Sequence, residues 1–162
     1  MNNNEGKNKN KIFIGCDHAG FDLKEKIKEY LILNGHDIED EGAYAYNPCD
    51  DYPDFAFKVA FKVSKENGKG ILVCNTGIGM CIAANKIKNI RAVNAHNEDI
   101  AKRSRLHNDT NILCIGSAFV DYELSLKIIK VWLEASFSSE EKHKRRVEKI
   151  NTFAGNLREE RN

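Results

Sequence analysis

The sequence predicts an α/β fold, a three-layer sandwich around a five-stranded, mostly parallel Rossmann-like sheet, with a helix at the C-terminus. Short apolar runs alternate with amphipathic stretches along the chain, which is typical of repeated strand–helix units. The apolar runs contain few polar residues, as expected for strands that helices cover on both faces. No internal repeat or linker interrupts the 162 residues, so we expect one domain over residues 11–162.

The apolar runs and the helically spaced stretches give the predicted boundaries of each element. The predicted strands are 11–17, an edge strand at 36–42, 70–76, 90–96 and 111–117. The predicted helices are 21–33, one capped by Asp54 that runs to about 67, a short one ending near 86, 97–106, 121–137 and 140–158. Residues 1–10 are polar and are expected to form a disordered tail.

Composition narrows the class of function. The net charge of +1 predicts no strong attraction to nucleic acid or to a membrane surface. No apolar run approaches the roughly 20 residues of a membrane helix, and residues 1–10 lack the apolar core of a secretory signal. We therefore expect a cytoplasmic protein with neither a nucleic-acid nor a membrane partner.

The cysteines predict reduced thiols rather than a disulfide framework or a zinc site. Their number is odd, none has C-x-x-C spacing, and three lie in strand-like runs. The five are Cys16, Cys49, Cys74, Cys81 and Cys114. No metal is expected, because no His, Cys and carboxylate set has metal-ligand spacing.

Candidate chemistry follows the first and third predicted strands, because active sites of such folds lie at the carboxyl ends of the strands. Asp17 and His18 follow the first strand. His18 could bind a phosphate or move protons; equally, Asp17 could cap the next helix and His18 could simply be exposed.

Cys74 ends the third strand and precedes a turn that leads into a helix. The turn consists of Asn75, Thr76, Gly77, Ile78 and Gly79. Its glycines let backbone N–H groups converge on an anion, and the helix N-terminus adds positive charge. This setting would lower the thiol pKa from about 8.5 and supply a base, although a small core residue is the commoner role of cysteine. Ile82 occupies the third position of a dinucleotide fingerprint, which disfavours a nicotinamide site.

Two further groups are less specific. His107 and Asn108 are predicted to lie in a loop, where a surface histidine is the simpler interpretation. Lys142 and His143 lie four and three residues before Arg146, so the three share one face of the last helix. They could clamp a phosphate, but a solvated basic face is the simpler interpretation.

Five motifs follow one another along the chain: GCDHAG, DYPDFA, CNTGIGMCIAANK, IRAV and RLHNDTN. In this combination and order they resemble the ribose-5-phosphate isomerases of type B and the related galactose-6-phosphate isomerase subunits. The resemblance covers about residues 11–153. It implies an α/β isomerase of sugar phosphates in pentose phosphate metabolism, without metal or cofactor. It also implies a homodimer or homotetramer with active sites between protomers.

The resemblance implies a catalytic role for four residues. Cys74 would move the proton between C1 and C2 of the sugar, and Thr76 with the amides of residues 75–79 would hold the enediolate oxygens. His107 would open the furanose ring with help from Asp17. Cys74 is present and no Glu follows before Ala84, which favours the branch of the family with a cysteine base.

The resemblance also implies substrate contacts. Tyr52 and Asn108 would contact the sugar, while His18 and Arg146 would hold the phosphate. His107 and Asn108 are candidates for contribution by the neighbouring protomer.

Three positions depart from the family pattern: Asn75 replaces a common glycine, Lys142 an expected phosphate-binding arginine, and Ala118 an arginine of some members. The departures at Lys142 and Ala118 bear on phosphate affinity. At position 142, lysine keeps the positive charge but lacks the bidentate fork of arginine. Another sugar phosphate, such as a hexose 6-phosphate of allose or galactose, is an alternative substrate. A non-catalytic sugar-phosphate sensor is an alternative of another class.

Overall fold

The computed structural model describes residues 11–156, so the predicted tail at 1–10 and the end of the last predicted helix lie outside the described residues. The strands are β1 Ile12–Cys16, β2 Ile38–Asp40, β3 Lys69–Cys74, β4 Ala92–Asn94 and β5 Ile112–Gly116. The helices are α1 Phe21–Leu33, α2 Tyr52–Glu66, α3 Ile78–Ala84, α4 Glu98–Asn108, α5 Tyr122–Glu134 and α6 Glu141–Asn156. A single 3₁₀ turn, His18–Gly20, precedes α1.

The five strands form one sheet in the order β2-β1-β3-β5-β4, and every pairing is parallel. Cys16 at the end of β1 pairs with Val73, and Cys74 at the end of β3 pairs with Gly116 at the end of β5. The last residues of these three strands therefore meet at one edge of the sheet, which we call the carboxyl edge. The opposite edge, where the strands begin, is the amino edge.

Helices cover both faces of the sheet, which confirms the predicted three-layer α/β sandwich. Alternate side chains of each central strand point to opposite faces. In β3, Ile71 and Val73 pack in the core beneath α1 and α5, whereas Leu72 and Cys74 pack in the core beneath α2 and α3. Both cores consist almost entirely of aliphatic and small side chains. The end of β3 that carries Cys74 is therefore strongly shielded from water.

The start of α2 differs from the prediction that Asp54 caps it. The helix begins at Tyr52, Asp51 is its N-cap residue, and Asp54 lies in the first turn. Pro53 suits this position because the first turn of a helix has no intrahelical partner for its N–H groups. Tyr52 is thus held at a helix N-terminus.

The end of α4 also differs from the prediction, because His107 and Asn108 belong to its last turn rather than to a loop. The helix continues until Asp109 takes a left-handed conformation with φ of 47°, and the Asp109 N–H donates to the carbonyls of Ser104 and Arg105. Aspartate tolerates this conformation better than most residues, so it can end a helix as glycine does. Since α4 ends just before β5 begins, its last turn lies at the amino edge.

The last helix, α6, packs against α4. The connection between α5 and α6 is fixed to α4 because the Ser138 N–H donates to the Leu106 carbonyl, with 3.1 Å between nitrogen and oxygen. The basic face of α6 is thereby brought beside the last turn of α4. Within residues 11–156, no helix combines the length and apolarity required to cross a bilayer.

Candidate active site

Cys74 lies at the carboxyl edge with its sulfur enclosed by the turn that follows. The residue is 4% exposed, and the Gly77 N–H donates to its Sγ with 3.1 Å between nitrogen and sulfur. Gly77 has φ of 76°, and a Cβ there would lie 2.4 Å from Oδ1 of Asn94, so only glycine fits. The predicted glycine turn is therefore built around the thiol.

The prediction that this setting lowers the thiol pKa is wrong for the chain as described. Burial raises the pKa of Cys74 above its usual value, and the backbone N–H groups of Gly77, Met80 and Thr76 offset this only in part. The nearby Asp17 carboxylate raises the pKa further. The reason is that the free-energy cost of removing a thiolate from water exceeds the stabilisation that the three backbone N–H groups give it.

Asp17 takes the capping role that the sequence offered for it. It caps the 3₁₀ turn, because its Oδ1 accepts from the Gly20 N–H at 3.1 Å. The residue is also buried beside Cys74, and burial raises the pKa of its carboxyl. A carboxyl with a raised pKa is better suited to give and take protons near neutral pH than an ordinary surface aspartate.

His18 has a partner that the sequence did not indicate. Its Nδ1 lies 2.6 Å from Oδ1 of Asp50, and its backbone N–H donates to the same oxygen at 3.0 Å. The hydrogen bond to Asp50 raises the pKa of His18. The imidazole is partly exposed, so it can still reach a ligand.

Tyr52 joins the site from α2. Its ring covers the backbone of the glycine turn so closely that a Cβ on Gly79 would lie 2.6 Å from the Tyr52 Cζ atom. Thr76 accepts from the Ile78 N–H through its Oγ1 at 3.3 Å, which orders the turn. The carboxyl edge thus brings together most of the predicted site residues: Asp17, His18, Tyr52, Cys74 and residues 75–79.

Ser117 and Asn94 complete the support of this edge and were not predicted. Ser117 Oγ donates to the carbonyls of Ala19 at 2.8 Å and Cys74 at 3.2 Å, tying the ends of β1, β3 and β5 together. Asn94 Nδ2 donates to the Thr76 carbonyl at 3.1 Å. Asn94 ends β4 and Ser117 directly follows β5. Their position at strand ends was the sequence signal that could have identified them as site residues.

A cavity of about 460 Å³ adjoins the turn on the side of β4 and β5. Its lining combines polar and apolar groups: Thr76, Ile78, Asn94, His96, Gly116, Phe119 and Val120. Ile78, Ile82 and Phe119 are all more than half exposed, at 54%, 58% and 70%. Large apolar side chains grouped at a surface in this way favour contact with another protein surface.

The remaining predicted residues lie together at the amino edge. We call this group the amino-edge cluster; its members are His107, Asn108, Lys142, His143 and Arg146. The rings of His107 and His143 stack with centroids 4.5 Å apart and planes 11° apart. Burial lowers the pKa of His143, and the charge of His107 lowers it further. The sequence placed His143 on the same helix face as Arg146, but it did not predict the stacking of His143 on His107.

One chain does not bring the amino-edge cluster to Cys74. The cluster lies near the start of β5, whereas Cys74 lies beside its end, Gly116. Five strand residues span roughly 16 Å at about 3.3 Å per residue. His107 is therefore too far from the thiol of its own chain to contact it directly or through one water.

No metal-binding group is found among residues 11–156: nowhere do three or more His, Cys, Asp or Glu side chains converge for an ion. The five cysteines are free thiols.

Comparison with known proteins identifies the family of the chain. Residues 12–150 match the family model described as Ribose/Galactose Isomerase. The chain belongs to this isomerase family. Ribose-5-phosphate isomerase B of Escherichia coli is 44% identical over 141 residues, which is 86% of this chain and 93% of that protein.

Solved structures agree in fold. A ribose-5-phosphate isomerase B from Clostridium thermocellum superposes with a TM-score of 0.87 at 42% identity, covering 91% of this chain and 99% of that one. The enzyme from Mycoplasma genitalium with bound ribulose-5-phosphate has a TM-score of 0.86 at 41% identity, covering 88% and 95%. The family and the fold predicted from the motifs are confirmed.

The first prediction concerns the thiol. The difference in thiolate absorbance near 240 nm between the wild-type protein and Cys74→Ala should titrate above the usual pH of about 8.5, because burial raises the pKa of Cys74. When both proteins also carry Asp17→Asn, the absorbance difference between them should titrate at lower pH, because the negative charge beside the thiolate has been removed. A midpoint below 8.5 in the otherwise unaltered protein would contradict the burial argument.

Proposed function

We propose that the protein interconverts D-ribose 5-phosphate and D-ribulose 5-phosphate through an enediolate intermediate, with Cys74 as the base. The observation that carries the proposal is the enclosed sulfur of Cys74, which receives the Gly77 N–H at 3.1 Å beside the buried Asp17. Membership of the isomerase family supports the reaction type. The relative from Mycoplasma genitalium with bound ribulose-5-phosphate supports the substrate.

The reaction requires a ring-opening step and a proton transfer. Asp17 and His107 open the furanose ring by moving a proton from the C1 hydroxyl to the ring oxygen. The Cys74 thiolate then removes the proton from C2, and the electron pair forms the C1–C2 double bond of the enediolate. The same proton returns from sulfur to C1, while the proton on the C2 hydroxyl passes to the C1 oxygen and the C2 carbonyl forms, which gives the ketose without gain or loss of atoms.

The turn of residues 75–79 stabilises the negative charge that develops on the sugar oxygens. Its backbone N–H groups precede and begin α3, where the helix carries partial positive charge. Donors that are fixed before the reaction need no reorganisation, and one such donor contributes about 3–4 kcal/mol to the transition state. Thr76 lies at the centre of this turn, and Tyr52 covers it.

The complete site requires two copies of the chain in a homodimer or homotetramer. His107, Asn108, Lys142 and Arg146 act on the Cys74 of a neighbouring copy. The separation of roughly 16 Å within one chain supports this arrangement, because a proton cannot cross that distance between side chains. The exposed Ile78, Ile82 and Phe119 beside the site supply an apolar surface for the contact.

The phosphate is held by positive charge from both copies. His18 binds it from the same chain as Cys74, and Arg146 and Lys142 bind it from the neighbour. Lys142 is paired with Glu140 at 2.8 Å in an exposed ion pair, which is weak and can be exchanged for a phosphate. The five free cysteines suit a reducing compartment, and we place the reaction in the cytoplasm.

A coupled assay across pentose and hexose phosphates tests the substrate. Ribose 5-phosphate should give the highest kcat/KM. Preference for a hexose 6-phosphate would change the substrate but retain the chemistry. Binding of sugar phosphates without turnover would instead favour the sensor, which requires the anchors but no proton shuttle.

The second prediction concerns the base. Cys74→Ala should lower kcat by about 10²–10⁴-fold, the usual contribution of a general base, with the circular dichroism spectrum unchanged. Cys81→Ala is the matched control, since it removes a thiol from the adjoining helix and should retain most activity. Near-normal turnover of Cys74→Ala would refute the assignment.

The third prediction concerns the shared site. Cys74→Ala and His107→Ala should each be nearly inactive alone, but co-expression should restore about a quarter of wild-type activity. Half of the dimers are then mixed, and each mixed dimer contains one intact site of two. Activity no higher than that of the single variants would show that both residues act within one chain.

The fourth prediction concerns the phosphate anchor. Arg146→Ala should reduce kcat/KM by about 10- to 150-fold, mainly through KM, because a charge-assisted hydrogen bond contributes roughly 1.5–3 kcal/mol. Lys142→Arg should be neutral or mildly improving, because it restores a bidentate fork. Arg145→Ala is the control on the same helix and should change little. Equal effects at Arg145 and Arg146 would support the solvated-face interpretation.

A further inference from the structure

Asp50 lies in the loop between β2 and α2 and contacts His18 through two hydrogen bonds. One carboxylate oxygen, Oδ1, receives the backbone N–H of His18 at 3.0 Å and lies 2.6 Å from its ring Nδ1. The Asp50 side chain is 8% exposed, whereas that of His18 is 34% exposed. The buried side of the imidazole therefore faces Asp50, and its other edge faces solvent.

The surroundings of His18 are strongly negative. Asp50 acts on it from the loop and Asp17 from the end of β1, while the Tyr46 ring meets it edge-on at 6.2 Å. The second oxygen of Asp50, Oδ2, is buried and has no hydrogen-bond partner within residues 11–156. A buried carboxylate with one oxygen unsatisfied is costly unless a positive charge compensates it, and His18 is the group in hydrogen-bond contact that can carry one.

We propose that Asp50 is a positioning residue that fixes the ring of His18 with Nδ1 turned inward, so that a protonated Nε2 faces the phosphate of the substrate. The proposal rests on the proposed function, in which His18 binds that phosphate. An imidazole whose Nδ1–H is held by a carboxylate can rotate little about its side-chain bonds. It then presents Nε2–H as a charge-assisted donor, which suits an anionic oxygen.

A purely structural role, in which Asp50 only anchors its loop, explains less of the geometry. The beginning of the loop is already fixed to β1, because Cys16 N–H donates to Gly42 O at 2.7 Å and Ala43 N–H to Cys16 O at 2.9 Å. The buried Lys24 Nζ adds a bond to the Ala43 carbonyl at 2.9 Å. The bond from Asp50 to the ring of His18 instead orients a partly exposed side chain that also meets the edge of the Tyr46 ring.

Asp50→Asn tests the proposal, with Asp51→Asn as the matched control. Both substitutions remove one negative charge, but Asp51 is exposed and its side chain makes no cap hydrogen bond in α2. Asparagine at position 50 can still accept through Oδ1, so the loop should keep its fold. The experiment measures KM and kcat for ribose 5-phosphate from pH 6 to 9, and the ratio of variant to wild type at each pH cancels the ionisation of the substrate.

We expect the KM ratio for Asp50→Asn to be near one at pH 6 and to rise to about tenfold by pH 8, with kcat changed less than about threefold. This corresponds to a loss of the His18 charge at lower pH in the variant than in the wild type, because the hydrogen bond to Asp50 raises the pKa of His18. Asp51→Asn should give a flat ratio near one. A flat KM ratio for Asp50→Asn, or a loss confined to kcat, would overturn the proposal.

A second measurement is independent of catalysis. The ring resonances of His18, assigned by their loss in His18→Asn, should titrate in the wild-type protein above the usual pH of about 6.5 and in Asp50→Asn at lower pH. Addition of inorganic phosphate should shift these resonances at pH 6.5 in the wild type. Equal titration in both proteins, or a wild-type midpoint below 6.5, would overturn the role of Asp50. Absence of isomerase activity with the expected titration and phosphate shift would instead refute the proposed function alone.

Discussion

The parallel register of β1, β3 and β5 is the constraint on which the rest of the site depends. Because Cys16 pairs with Val73 and Cys74 with Gly116, the three strands end together, and each following loop starts at the same edge. Ser117 then joins the three ends through the carbonyls of Ala19 and Cys74. A shift of one residue would turn Cys74 to the opposite face of the sheet and remove its sulfur from the amides of the turn.

The same parallel arrangement separates the candidate residues into two groups. A helix that follows a strand returns to the amino edge before the next strand begins, so the last turn of α4 is as far from Cys74 as β5 is long. The basic face of α6 packs on that turn and shares its position. In the proposed dimer, a symmetric contact would bring the two groups together although they lie at opposite ends of one chain. A single copy would then hold only half of each site.

The fold was predictable from sequence because its signals are local. Apolar runs and helical spacing located every strand and helix, and Phe21–Leu33 matched its predicted bounds because Asn34 and Gly35 are strong stop signals. The end of α4 was not predictable, since Asn108 and Asp109 can both take the left-handed conformation that stops a helix. The Cys74 turn was predictable from its glycines, but the burial that raises the pKa of the thiol depends on packing of α2 and α3. Asp50 gave no signal because its partner lies 32 residues away.

The raised pKa of Cys74 and its proposed role as a base are compatible if a second copy completes the site, as proposed above. In one chain, burial and the Asp17 carboxylate both raise the pKa of Cys74, which disfavours the thiolate, the reactive form of a cysteine. A base with a high pKa is also the stronger proton acceptor once it is ionised. In the proposed dimer, Arg146 and Lys142 of a neighbouring copy would add positive potential to the site from the phosphate position, and a substrate bound there would exclude further water from the turn. The enclosed thiol would then act as a base only in the assembled, occupied site, which would be compatible with its place in the same core as Cys114.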